Sequence, residues 1–139
     1  MTAGAARPAV LTYTEARSSF RATIDAAANG GLPVIARGTD RVAMADAEKL
    51  RRTLSALITD RPRVYTEEGL YTLIMEGAGI GTESADFEAA IVDLVVALRE
   101  YAEDYPRLLN APNHQENWSL VQLVNLSTDE QLREWMLGQ

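Results

Sequence analysis

Val10-Leu11-Thr12-Tyr13-Thr14-Glu15-Ala16-Arg17, followed further on by Val34-Ile35-Ala36-Arg37-Gly38-Thr39-Asp40-Arg41-Val42-Ala43-Met44, decides how the first half of the chain folds. The β-branched and aromatic residues at 10–13 suit a short strand. Thr14 then makes an N-cap, with Glu15 in the first turn where a carboxylate meets the positive end of the helix dipole. That helix is expected to run to about Asn29 with Ala16, Phe20, Ile24 and Ala27 as its buried stripe. It stops at Asn29-Gly30-Gly31, residues that tolerate a left-handed conformation. Residues 32–36 and 42–44 are apolar runs around a polar turn with Gly38 and Asp40, the pattern of a hairpin. Asp46 caps a further helix in which Leu50, Leu54 and Leu57 keep the apolar face and Lys49, Arg51 and Arg52 the wet one.

The expected fold is therefore α+β, beginning with a small β-α-β-β-α module. A sheet this small leaves an edge and an apolar face bare, and a symmetric second copy is the simplest cover, so a homodimer is expected. Arg17, Ser18 and Arg21 fall away from the buried stripe of the first helix, and Arg37 and Arg41 flank the hairpin turn. Arginines and hydroxyls near a helix start can reach phosphates and base edges. Taken singly, each arginine is more simply an ordinary solvated side chain.

Charge separates the two halves. Residues 1–58 hold eight Lys/Arg against five Asp/Glu, a net +3, whereas residues 59–139 hold five against fifteen, a net −10. Such asymmetry points to different partners for each half, and a solvated acidic face is the plain alternative for the second. On a basic half of an otherwise acidic chain, the five candidate residues together favour DNA, through a largely electrostatic and salt-sensitive contact.

Asp60-Arg61-Pro62 breaks the chain and marks the expected boundary between modules 1–58 and 59–139. Beyond it, 63–66 and 70–75 read as a second hairpin around Glu67-Glu68-Gly69. Gly77, Gly79 and Gly81 lack the spacing of a dinucleotide loop and read as a loop that needs positive φ. Ser84 caps a long helix with Phe87, Ala90, Ile91, Leu94, Val95, Leu98, Tyr101 and Tyr105 on its inner face, ended by Pro106. Two more helices follow, one with Trp118, Val121, Leu123 and Val124. The other has Ser127 and Glu130 in capping-box spacing and Leu132, Trp135 and Met136 on its face. The second module is thus a hairpin plus three helices. Tyr101, Tyr105, Trp118, Trp135 and Met136 are its candidates for docking a protein partner. Packing is favoured for Trp118, while Trp135 and Met136 stand evenly between packing and docking.

The order of motifs over residues 9–57 resembles the Phd/YefM antitoxins. Thr14-Glu15-Ala16-Arg17 is similar to that family's Ser-Glu-Ala-Arg helix start, Phe20 stands where it keeps Leu or Phe, and residues 35–38 resemble its Ile-Thr-Arg-x-x-Gly strand end. The resemblance implies Arg17 and Arg37 as operator contacts, with Ser18 and Arg21 added from helix geometry and Arg41 from the turn. Residues 63–101 faintly resemble the hairpin and helix of HicB-type antitoxins through Glu68-Gly69-Leu70-Tyr71 and the Ala90-to-Leu94 spacing.

With no cysteine, thiolate zinc sites and disulfides are excluded, and His114, the single histidine, reads as a loop residue bonding backbone. No nucleophile elbow or partnered carboxylate set is present, so no catalytic residue, metal or cofactor is expected. No apolar run approaches the roughly 20 residues that cross a bilayer, and residues 1–8 lack the apolar core of a signal peptide, so a cytoplasmic protein is expected. The function these features imply is the antitoxin of a type II toxin–antitoxin pair: it binds a cognate toxin through 59–139 and operator DNA through 1–58. A stand-alone transcriptional regulator with a structural C-terminal domain is the alternative, and a small enzyme with an acidic cleft a more distant one.

Overall fold

A computed structural model describes residues 10–139. They form an α+β architecture of two three-stranded sheets and six α-helices. The chain divides into two compact units, the second spanning Arg51–Gln139. The division falls inside α3 (Ala47–Leu57), ahead of Asp60-Arg61-Pro62.

In the first unit β1 (Val10–Thr12) leads into α1 (Tyr13–Ser18) and α2 (Phe20–Ala28) before β2 (Val34–Arg37) and β3 (Asp40–Ala43). β1 lies parallel to β2, with Leu11 opposite Ile35, and β2 pairs antiparallel with β3 across a two-residue turn at Gly38-Thr39. Thr12, not Thr14, caps α1. Its hydroxyl accepts from the Glu15 N–H at 3.1 Å while the Glu15 carboxylate accepts from the Thr12 N–H at 3.3 Å, a reciprocal capping box.

The single helix expected from 14 to 29 is broken at Ser19. The Glu15 carbonyl accepts from the hydroxyls of Ser18 (3.1 Å) and Ser19 (2.6 Å) as well as from the Ser19 N–H (3.0 Å), and Ser19 leaves the helical region at φ −120°. Side-chain bonds of this kind compete with the helical ladder. Beyond the break the inward positions are Thr23 and Ala27, and Phe20 and Ile24, expected inside, are 55% and 43% exposed. Thr23 tolerates burial because its hydroxyl donates to the Ser19 carbonyl at 3.0 Å.

α3 begins as expected, the Asp46 carboxylate accepting from the Lys49 N–H at 2.9 Å, but only Leu54 of its apolar face is buried, and Leu57 is exposed.

The second unit is a meander of β4 (Arg63–Glu67), β5 (Leu70–Met75) and β6 (Ile80–Ser84), covered on one face by α4 (Phe87–Leu108), with α5 (Trp118–Leu126) and α6 (Asp129–Met136) packed on α4. Glu68 and Gly69 turn the first hairpin with φ of 50° and 78°. The glycine segment is not an open loop. A single 3-10 turn at Glu76–Ala78 and a left-handed Gly79 reverse the chain into β6, a strand the glycine-rich sequence conceals. Gly81 suits it because an added Cβ would already lie 3.4 Å from the Leu73 carbonyl.

α4 is capped by Asp86, whose carboxylate accepts from the Ala89 N–H, and not by Ser84. It passes through Pro106 and ends at Leu108. Its expected inner face is buried from Ala90 to Tyr105, around a core of Leu73, Met75, Leu94, Leu98, Leu123 and Leu132. α6 starts from a Thr128/Gln131 capping box, displacing the expected Ser127/Glu130 pair, because Ser127 is buried and donates its hydroxyl to the Leu123 carbonyl at 2.6 Å.

Candidate functional site

The candidate DNA residues all lie at the surface of the first unit. Arg17 stands in the last turn of α1, one helical turn from Tyr13, and Tyr13 lines a recess of about 240 Å³ with Ile35, Arg37, Asp40 and Val42. Arg37 thus borders the recess, and Arg17 lies one helical turn along α1 from its Tyr13 wall. Arg21 lies on α2, beyond the break, and Ser18 bonds its own helix rather than presenting a free hydroxyl.

Arg37 and Arg41 do not share a face. Arg37 is opposite Asp40 and Arg41 opposite Ala36, and residues one apart on a strand point to opposite sides of the sheet. Arg37 is held loosely by Asp40 at 3.7 Å, a pair exposed enough to exchange readily for another anion. Among the described residues Arg17, Arg21 and Arg41 make no ion pair.

The candidate partner-docking residues separate sharply. Tyr101, Tyr105, Trp135 and Met136 are at most 8% exposed and belong to the unit's own interior, whereas Trp118 is 50% exposed at the start of α5. This is the reverse of the order expected for the two tryptophans. The tyrosines organise a polar network. The Asn117 amide donates to the Tyr101 hydroxyl (3.0 Å) and to the Gly77 carbonyl (2.9 Å), and the Tyr101 hydroxyl shares a hydrogen bond with His114 Nδ1 at 2.8 Å. The His114 ring thus bonds a tyrosine hydroxyl instead of the expected backbone. The Tyr105 hydroxyl donates to the carbonyls of His114 (3.1 Å) and Gln115 (3.2 Å), and burial, then the neighbouring Tyr101, raises its pKa. The network fastens the segment between α4 and α5. A polar recess of about 530 Å³ lies beside it, lined by Glu76, Gly77, Asn113, Gln115, Glu116 and Asn117.

Two arginines fix the remaining helices. Arg99 of α4 donates to the Val124 and Ser127 carbonyls and to Asp129, closing the end of α5 and the start of α6 together. Arg133 of α6 holds Glu88 of α4 with two hydrogen bonds, at 2.6 and 3.1 Å, and this lowers the Glu88 pKa below its ordinary value. The Arg61 guanidinium lies 5.8 Å from the Trp135 ring, and its Nε donates to the Trp135 carbonyl at 2.8 Å. Among the described residues no group of three His, Asp or Glu could hold a metal ion, and no helix is long and apolar enough to cross a membrane.

A family model of PHD-like antitoxins of toxin–antitoxin systems, described with RelE/RelB, matches residues 9–137, both units together. The chain belongs to this antitoxin family. The match is to the PHD-like antitoxins broadly, and it extends well past the 9–57 segment that carries the Phd/YefM resemblance. The crystal structure of a Syntrophomonas wolfei protein, described as the antitoxin part of a proposed toxin/antitoxin system, has the same fold. It superposes with a TM-score of 0.79 at 21% identity, over 91% of this antitoxin and 95% of that chain. No curated protein sequence matches this antitoxin significantly.

Proposed function

We propose that this antitoxin neutralises a cognate protein toxin through its second unit, and that it represses its own operon as a homodimer whose first units hold operator DNA, with its action in the cytoplasm. The observation that carries this reading is the contrast in burial between the units. In residues 10–50 only Ala16, Thr23 and Ala27 are buried, while Val10, Tyr13, Phe20, Ile24, Leu32 and Val42 are 43–63% exposed. A unit with so little interior is far from self-sufficient, and a second copy packed against it would remove part of that apolar surface from water. Dimerisation would also double the arginine set formed by Arg17 and Arg37 about a two-fold axis, which suits a palindromic site. The second unit has a complete core and a −10 segment, suited to steering toward a basic toxin surface. Its Phd/YefM-like manner of DNA binding rests on the Thr14-Glu15-Ala16-Arg17 motif and on the exposure of Arg17 and Arg37.

Electrophoretic mobility shift with the upstream promoter tests the DNA half. Arg17→Ala with Arg37→Ala is expected to weaken binding at least about tenfold at moderate salt and to flatten the salt dependence, each phosphate contact contributing about 0.9 to the log–log slope. Phe20→Asp with Ile24→Asp is expected to give a monomer by light scattering that no longer shifts the promoter. Wild-type binding by both variants would refute the assignment.

A further inference from the structure

On the second unit, α4 turns an apolar pair outward. Val92 and Val96, one helical turn apart, are 59% and 51% exposed, while their neighbours Ile91 and Val95 are buried beneath them. Together with the first turns of α6 they line a groove of about 180 Å³ whose floor is aliphatic. Its walls are already fastened by the Glu88–Arg133 and Arg99–Asp129 ion pairs. The groove is therefore formed before any partner arrives, and Arg133, which lines it and has Glu130 nearby, is already hydrogen-bonded to Glu88. Helical spacing sets Asp93 and Glu100 beside Val96, and Glu130 lines the groove itself. None of these three carboxylates makes an ion pair among the described residues.

We propose that this α4–α6 groove, centred on Val92 and Val96, is the surface that receives the toxin, through a basic segment carrying an apolar anchor. The proposal rests on the reading of the chain as a toxin-neutralising antitoxin. Charge selects the occupant. A second copy of this chain would bring Asp93, Glu100 and Glu130 against carboxylates of the same sign, whereas a segment with an aliphatic or aromatic side chain flanked by Lys or Arg satisfies both the valines and the rim. The interior anchors of the unit, Trp135 and Met136, would then stay in place on binding, and recognition would be docking onto a rigid face.

The test uses the full chain and, as probe, the purified product of the reading frame adjacent to its gene. Val92→Lys with Val96→Lys, a change that favours the helix over valine, is expected to weaken binding about tenfold or more, with melting temperature and oligomeric mass as in the wild type. Asp93→Asn with Glu130→Gln is expected to slow association and lessen its dependence on salt, dissociation changing less. Val64→Lys, on the exposed strand β4, serves as the control that leaves binding unchanged. If the wild type binds the probe and the valine variant binds it equally, the groove is not the docking surface, and the antitoxin reading stands. If the wild type does not bind, that reading falls and the proposal with it. A change of oligomeric mass in the valine variant would assign the groove to a second copy and overturn the proposal.

Discussion

Gly79 and Gly77 look alike in sequence, yet the backbone asks different things of them. Gly79 has φ 67° with open space where a Cβ would point, so Gly79→Ala forces the left-handed conformation on an L-residue, at about 1–2 kcal/mol. At Gly77 an added Cβ would meet the Asp60 Oδ2 at 2.9 Å, the far end of a side chain that can rotate away, and would touch the Asn117 Oδ1 at 4.0 Å. Urea unfolding is expected to show that loss for Gly79→Ala and a much smaller one for Gly77→Ala. The sequence made the need for positive φ legible here, but not that the turn feeds a strand, since Ile80-Gly81-Thr82-Glu83-Ser84 has little apolar alternation of its own and is defined by its pairing with β5. The arginines were legible in the same partial way. Arg17 and Arg37 could be read as exposed, whereas the opposed faces of Arg37 and Arg41 follow from a two-residue turn whose register composition alone does not determine.

Among the elements, Asp46 caps α3 as expected, while three helix starts are displaced by one or two residues from the sequence expectation, Thr12 for Thr14, Asp86 for Ser84 and Thr128 for Ser127. In each case neighbouring side chains compete to cap, and packing selects, as when burial commits the Ser127 hydroxyl to Leu123. The long periodic helix α4 was legible almost residue by residue because its apolar pattern is strong. The break at Ser19 was not, because it depends on two hydroxyls converging on one carbonyl. The link between α4 and α6 carries a pH signature. Arg133 holds the Glu88 carboxyl below its ordinary value, so the pair's stabilisation is present above the unfolded glutamate pKa and is lost as pH falls through the lower folded value. Between about pH 5 and pH 3 the melting temperature of the wild type is expected to fall further than that of Glu88→Gln. Parallel falls would show the pair to be without effect on stability.

For the whole molecule, the division of charge was plain in the sequence, and the contrast in burial only in part: a bare apolar face was expected of so small a sheet, but Phe20 and Ile24 are helically spaced and read as core. Val10, Tyr13, Phe20, Ile24, Leu32 and Val42 lie outside in the first unit, with Ala16, Thr23 and Ala27 inside, while the second holds Leu73, Leu94 and Leu132 fully enclosed; on the proposed reading, the first unit draws stability from a partner. If the supply is a twin chain, dilution acts on one unit only. Amide hydrogen exchange is then expected to slow in residues 10–50 as protein concentration rises and to be indifferent to concentration in the core of α4; equal behaviour of the two would show the first unit to stand alone. The bare apolar surface of the first unit would thus make the chain a gauge of its own abundance, with proteases and polymerases meeting a different molecule when it is scarce than when it is plentiful.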